Sequence, residues 1–522
     1  MRNRDRLTNA QHPSACERRT LPERAGEKRT RRYNDSYENG SDPGSSKRRF
    51  FHGIAMSSAS STLHPTDQLL FTGYDPGSFY DELIAPNGEP RPWAAPMYEK
   101  LAAMPLGVFE ERRKLADLSY LVQGITFTVY SDGRGTERLF PFDLCPRIIP
   151  RSEWDVIERG LAQRVMALNL YLQDIYGQQR ILKDGIVPRN LVFSCKHFRR
   201  EMVGLNVPRD IYIHVCGTDL VRDSRTGQYL VLEDNARSPS GISYVLENRL
   251  VMRRTFPRAF EVVEVMPIDH YPAELVQILR SLSPRSGERP VIVLLTPGLY
   301  NSAYFEHCFL AQEMGIELVE GRDLVVVDDV VWMKTIHGLT RVDVIYRRVD
   351  DDFLDPLAFR AGSLVGVPGL MNAYRAGNIA LANAVGTGVA DDKAIYAYVP
   401  DFIKYYLGED PILQNVETYL CSKPEHLAYV LDHLPELVVK AVGESGGYGM
   451  LMGPSSDKKT VEDFRVRLKA DPRNYIAQPV IPLSRVPSFD QSIGAMSPRH
   501  VDLRPYCLYD GQKVTIVPGG LT

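Results

Sequence analysis

Asp219-Leu-Val-Arg222, a polar interval containing Thr226-Gly227, and Tyr229-Leu-Val-Leu-Glu233-Asp-Asn235-Ala-Arg237-Ser-Pro-Ser-Gly241 form the stretch that decides the fold. Two apolar runs flank a polar turn with a glycine, which predicts a β-hairpin. With the turn centred on Thr226, Asp219 falls opposite Glu233. Side chains alternate along a strand, so Asn235 shares the face of Glu233. Like charges directly opposite each other destabilise a sheet. A hard divalent cation reverses that penalty, because Mg²⁺ takes oxygen ligands from carboxylates and phosphates. The hairpin therefore reads as a Mg²⁺-nucleotide site with Asp219, Glu233 and Asn235 as candidate ligands. A solvated acidic hairpin end is the plainer reading of an isolated Asp/Glu pair. The matched Asn235 and the Arg-Ser-Pro-Ser-Gly tail favour the metal.

The rest of the chain is consistent with a soluble nucleotide-binding protein of two or three domains. It has 522 residues, 44% hydrophobic and 24% charged, with a net charge of −3. That balance gives no global field for nucleic acid or a membrane surface. No apolar run approaches the roughly 20 residues of a membrane helix, and no apolar signal-peptide region opens the chain. Seven cysteines lie scattered with no C-x-x-C pair, which argues against structural zinc or a disulfide framework and for a reducing cytoplasm. Residues 1–60 differ, with 13 Lys/Arg against 7 Asp/Glu and few aliphatic residues. Such a segment buries too little apolar surface to offset its ordering entropy and is expected to be a disordered basic tail. A translation start near Met56 is the simplest account of it.

Residues 66–200 read as a largely helical region after an irregular Pro/Gly-rich stretch at 73–96. Its clearest element runs from Glu153 to Tyr176, with Trp154, Ile157, Leu161, Val165, Leu168, Leu172 and Ile175 at helical spacing, Ser152 as a candidate N-cap and Gly177 as the stop. Residues 201–284 carry the hairpin and a helix from Ser240 to Thr255. A polar linker around Pro284 to Gly287 precedes an α/β block, 285–365. There, a strand at Pro290 to Leu295, a helix from Ser302 to Met314 capped by Asn301, and strands at 316–319, 324–327, 330–333 and 342–346 suggest a parallel-sheet unit. Residues 366–522 return to mixed α and β.

The second chemical signal is Leu437-Val-Val-Lys440-Ala-Val-Gly443-Glu-Ser445-Gly446-Gly447-Tyr-Gly449. A strand delivers Lys440 into a loop whose glycines let backbone N–H groups approach an anion, and the lysine adds a positive charge for phosphate. A glycine-rich hairpin turn is the bland alternative. Gly443-Glu-Ser445-Gly-Gly447 also fits the G-x-S-x-G nucleophile elbow, which needs a strand–turn–helix context that the following residues do not favour. A serine hydrolase would be labelled at Ser445 by a fluorophosphonate. No Walker A pattern occurs. Three weaker stretches are Asp391-Asp392-Lys393 after a glycine turn, Tyr475-Ile-Ala-Gln478-Pro, and His500-Val-Asp502-Leu-Arg504-Pro-Tyr506. Each alone is more often a salt bridge, an edge strand or a solvated face.

Taken in order, Asp219, Glu233-Asp-Asn235-Ala-Arg237-Ser-Pro-Ser-Gly241, Asp392-Lys393 and Lys440 with Gly446-Gly-Tyr-Gly449 resemble the circularly permuted ATP-grasp family, type 2, related to the glutathionylspermidine synthases. The resemblance runs from about residue 66 to the C-terminus. It implies an α/β (α+β) fold, a circularly permuted ATP-grasp with an inserted pre-ATP-grasp-like α/β block, in which the metal hairpin precedes the lysine and lid. It implies ATP and Mg²⁺ as cofactors, with Asp219, Glu233 and Asn235 on the metal, Lys393 and Lys440 on the phosphates, Gly446, Gly447 and Gly449 in the lid, and Gln478 at adenine. Arg237 matches a residue facing the γ-phosphate or an acyl phosphate, and with Arg504 it is a candidate catalytic residue. Arg347 and Arg348 look like the basic pair at the substrate side, although a salt bridge to Asp350 to Asp352 fits them nearly as well. The family usually continues past the Pro-Gly-Gly stretch with another strand, so a chain ending at Thr522 would leave the site short of an edge.

The activity so implied is ATP-dependent ligation of a carboxylate to an amine through an acyl phosphate, with peptide- or polyamine-like substrates. A non-catalytic ATP-binding or scaffold protein of the same fold is the alternative. Family members are often encoded beside α-E-domain and transglutaminase-like proteins, which are the implied protein partners.

Overall fold

The computed structural model describes residues 68–131, 134–444 and 449–522. The basic tail of residues 1–60, with Met56, lies outside them. So do Ser445, Gly446, Gly447 and Tyr448.

The decisive hairpin forms as strands Val215–Arg222 and Tyr229–Asn235, and Asp219 pairs with Glu233. The turn sits half a residue earlier than Thr226, since Arg222 pairs with Tyr229 and Leu220 with Val231. A β-bulge after Asp219 leaves Leu232 as the extra residue and restores the register of the acidic pair. This hairpin is the centre of a five-stranded sheet. Its order is Gln414–Asn415, Tyr229–Asn235, Val215–Arg222, Tyr506–Tyr509, Val514–Ile516. Segments 201–284 and 366–522 thus close on one sheet.

Helix Arg151–Tyr176 packs on the last two strands of this sheet. Ile157, Leu161, Leu168, Leu172 and Ile175 on its stripe are fully buried, each contributing about 1.5–3 kcal/mol. The helix begins earlier than expected and Ser152 does not cap it. Pro150 sets an extended φ/ψ at the N-cap, and its carbonyl accepts from Glu153 N and Trp154 N at 3.1 and 3.0 Å. Arg164, one position from Val165, turns inward to the opposite face of the hairpin. It donates to Asp234 through Nε and Nη2 at 2.7–2.9 Å, with both side chains almost wholly buried.

The α/β block is a parallel sheet of Ala380–Ala382, Val344–Arg347, Ile292–Thr296 and Glu317–Glu320, with helix Tyr304–Met314 crossing between the last two. Two expectations need correction. Leu324–Val327 and Val330–Thr335 do not join this sheet but form an antiparallel meander with Gly338–Arg341. Asp328 and Asp329 both take positive φ, as a two-residue primed turn requires. Residues 66–200 also contain a β-hairpin, Thr126–Ser131 with Arg134–Leu139.

A second antiparallel sheet, in the order Tyr419–Leu420, Tyr475–Pro479, Leu437–Ala441, Met450–Met452, carries Lys440 and Gln478. Pairing of Val438 with Gln478 and Lys440 with Ile476 puts these four on one face. Val439, Ala477 and Leu451 on the other face pack with Val430 and Leu434, and with Phe464 and Leu468 of helix Lys458–Ala470. Among the described residues no helix is long and apolar enough to cross a membrane.

Two buried histidines make this core pH-sensitive. His214, just before strand Val215–Arg222, is held near 3 by burial, and His197 near 4 by burial with Arg237 and Lys196 beside it. Their folded values lie below the ordinary 6.5, so both fold neutral. Their contribution is complete above pH 6.5 and is lost as pH falls through 4 and then 3. Urea unfolding at decreasing pH should show a loss of up to roughly 1.4 kcal/mol per pH unit for each histidine. A His197→Gln, His214→Leu variant should remove that part of the slope, and an unchanged slope would refute the assignment.

Candidate functional site

The hairpin, the loop before Lys393 and the second sheet converge on the acidic pair. Lys393 opens a one-turn helix whose N-cap, Asp392, accepts from Ala394 N at 2.8 Å and Ile395 N at 3.3 Å. Lys393 N donates to Val442 O at 3.1 Å, which ties this turn to the end of the Lys440 strand. The Lys393 ammonium then lies 3.1 Å from Glu233 Oε2 and donates to Glu444 O at 2.9 Å. Asp219 is held bidentately by Arg504 through Nε and Nη2.

The charges respond to one another. Burial raises the Asp219 carboxyl to about 6, with Glu233 adding to the rise against the pull of Arg504. Burial also works against Glu233, but Lys393 and Lys440 outweigh it, and a hydrogen bond from the Asp219 side chain helps keep Glu233 ionised. Lys440 is lowered by burial and by Lys393, while Glu233 and Asp219 oppose the shift. The cluster is therefore two facing carboxyl groups balanced by Arg504, Lys393 and Lys440.

This donor set fits a hard cation that also binds phosphate. Among the described residues the buried Asn235 Nδ2 has no hydrogen-bond partner, which leaves that amide able to turn its oxygen toward the carboxylates. Two carboxylates and an amide oxygen, completed by phosphate oxygens, suit Mg²⁺. Among the described residues no group of three or more His, Cys, Asp or Glu could hold a metal.

The turn after Asn235 is braced from several directions. Ala236 N donates to Asp391 Oδ1 at 2.6 Å, and Ala236 O accepts from Asn383 Nδ2 at 2.7 Å. Burial lifts the Asp391 carboxyl to about 7 against the pull of Arg237 and of the Ala236 N–H. Arg237 lies 3.5 Å from both Asp350 and Asp391. Glu306 Oε2 accepts from Gly241 N, Ser243 N and Ser243 Oγ at 2.6–3.1 Å, so a carboxylate already fills the helix N-terminus where an anion would sit. Gly241 has φ 122°, and a Cβ there would lie 2.1 Å from Tyr506 Oη and 2.6 Å from Leu521 Cδ1. Gly241→Ala should cost roughly 2–4 kcal/mol in chemical denaturation, and an unchanged midpoint would show that this turn yields.

The structure does not place Arg347 and Arg348 as free substrate cations. Arg347 is 1% exposed and donates to Asn383 O, Ala384 O and Val349 O at 2.7–2.9 Å, with Asp351 at 2.9 Å. Arg348 is buried against Pro239 O at 2.7 Å, Ser240 Oγ and Glu306 at 3.0 Å. Arg348 braces the α/β block against the Arg237–Gly241 turn, and Arg347 ties the end of strand Val344–Arg347 to the loop after Ala380–Ala382. Buried arginines need several acceptors, and carbonyls supplied by distant loops cannot be read from local spacing.

Gln478 is buried on the Lys440 face and donates from Nε2 to Thr418 Oγ1 at 3.0 Å. Gly449 takes φ 67° beside Ala441. Gly446 and Gly447 lie outside the described residues, but the flanking strands pair antiparallel, Lys440 with Met450. A described strand, Met450–Met452, thus follows the motif closely, where a nucleophile elbow calls for a helix. Asp391, Asn383 and Glu306 had no assigned role in the sequence reading. The repeated acidic pair Asp391-Asp392 beside Lys393 was the one local hint.

The chain is 56% identical to a protein of Synechocystis sp. over 451 residues, covering 86% of this chain and 93% of that protein. It is 49% identical to a protein of Mycobacterium tuberculosis over 457 residues, 87% of this chain and 82% of that one. A protein of Frankia casuarinae that carries a provisional glutamate–cysteine ligase name is 40% identical over 469 residues, and this chain spans 53% of its length. A glutathione synthetase-like effector of Globodera pallida superposes with a TM-score of 0.51 at 15% identity, covering 84% of this chain and 95% of that one, which shows a shared fold. The model of the circularly permuted ATP-grasp type 2 proteins matches residues 146–522, and the chain belongs to that family.

Proposed function

We propose that the protein is an ATP-dependent ligase that activates a carboxylate as an acyl phosphate and transfers it to an amine. The observation that carries this reading is the facing pair Asp219–Glu233 with Lys393 and Lys440 gathered at it. In-line phosphoryl transfer spreads charge over the transferred oxygens, so positioned cations supply most of the catalysis. Bound Mg²⁺, on Asp219, Glu233 and Asn235, would neutralise phosphate charge there. Lys393 and Lys440 would hold phosphate oxygens, and Gln478, on the same sheet face as Lys440, would meet the adenine. Arg504 orients Asp219 through two parallel N–H···O bonds. Arg237, partly exposed and 3.5 Å from Asp350 and Asp391, would face an acyl phosphate.

The Frankia relative's name and the fold shared with a glutathione synthetase-like protein support peptide-like substrates, and a polyamine is the second class of acceptor. Calorimetric titration with Mg-ATP, followed by ADP release over panels of amino-acid or peptide carboxylates and amines, tests the reading. Binding followed by amine-dependent ADP release is expected. Binding without turnover on any pair would favour a nucleotide-binding scaffold, and no binding would overturn the site.

A further inference from the structure

A cavity of about 410 Å³ opens between the far part of helix Ile242–Thr255, helix Tyr304–Met314 and the segment 265–269. None of the residues assigned to the nucleotide lines it. Its size falls within the roughly 300–1,000 Å³ of small-molecule sites. Leu246, Leu250, Phe260 and Phe309 give it apolar walls.

Two charged side chains on these walls are incompletely paired among the described residues. Glu247 is only 8% exposed, and its Oε2 is buried with no hydrogen bond. Burial pushes this carboxyl up, Glu313 of the same cavity pushes it further, and Arg254 offsets part of the rise. Arg249 rests on carbonyls alone, with Nη1 on Met266 O at 2.7 Å and Nη2 on Pro518 O at 3.5 Å. Burial and the neighbouring Arg253 both press its guanidinium down, and no carboxylate offsets them. An unpaired buried charge is costly. Here one cavity carries Glu247, buried and only partly offset by Arg254, and Arg249, set on carbonyls, together with the exposed Glu313 and Arg253 and an apolar floor.

We propose that this cavity is a second ligand site, for a zwitterionic amino acid or short peptide with an apolar side chain. The ligand's ammonium would pair with Glu247 and Glu313, its carboxylate with Arg249 and Arg253, and its side chain would cover Leu246 and Leu250. This assignment is independent of the nucleotide reading.

Calorimetry on the full chain without nucleotide tests it, using L-leucine, isopentylamine and 4-methylpentanoate as probes. L-leucine should bind with a Kd of roughly 1 mM or tighter, and each single-charge analogue about tenfold or more weakly. Glu247→Gln should weaken leucine by about tenfold. Leu250→Trp, at a half-exposed position, fills the cavity while keeping every charge, and should abolish binding with the thermal midpoint preserved. Mg-ATP binding, titrated in the same variants, should not move. Failure of leucine to bind, equal binding of the three probes, or leucine binding undiminished in Leu250→Trp would overturn the site, whatever the nucleotide titration shows.

Discussion

Glu233→Gln is expected to lower Mg-ATP turnover by about 10²–10³-fold, the scale lost when a preorganised charge at a developing transition state is removed. The substitution keeps the shape of the side chain and removes the one carboxylate that both site lysines hold ionised. Lys393 loses its partner at 3.1 Å, and Lys440 loses the attraction that opposes its desolvation. A cation at Asp219 and Asn235 would then have one carboxylate instead of two. The side chain is partly exposed, so the fold should tolerate the change, and the unfolding midpoint is the control. ADP release at the parent rate with intact folding would remove Glu233 from the metal site.

The largest effect on stability is expected at the other face of the same strand. Arg164→Leu should destabilise the protein by about 3–5 kcal/mol, because it strands the Asp234 carboxylate in the core. Arg164 makes three charged hydrogen bonds to Asp234 and one to Asn415 Oδ1 at 2.8 Å, and its guanidinium also lies over the Tyr396 ring. Pairing it with Asp234→Leu should recover most of the loss, since no charge is then left unpaired and only the neutral Thr218 and Asn415 lose a partner. Urea denaturation of the two single variants and the double variant measures this directly. Additive losses in the double variant would show that the pair is not an isolated charge couple.

The local signals in the sequence were read well where one period governs. The stripe from Trp154 to Ile175 is the buried face of the long helix. The facing of Asp219 and Glu233 was legible because strand alternation and a short turn leave few registers, although a bulge at Leu232 was needed to achieve it. Alternation also placed Asp234 on the opposite face from Glu233, yet nothing in a single chain says that a face is buried against a helix 70 residues earlier. The expected role of Arg347 and Arg348 failed for a related reason. A basic pair ending a strand looks the same whether it meets solvent or loop carbonyls.

The sequence by itself determined the hairpin, its acidic face and the strand-borne Lys440, because each depends on residues a few positions apart, while the permuted order of these parts is what the family resemblance implied. Tertiary structure alone decided which cations reach the acidic pair. Arg504 meets Asp219 across 285 residues, and Lys393 meets Glu233 only because its turn is bonded to the end of the Lys440 strand. Strand and helix periods fix the direction in which a side chain points, whereas the partner it finds depends on how sheets and loops far apart in the chain pack together.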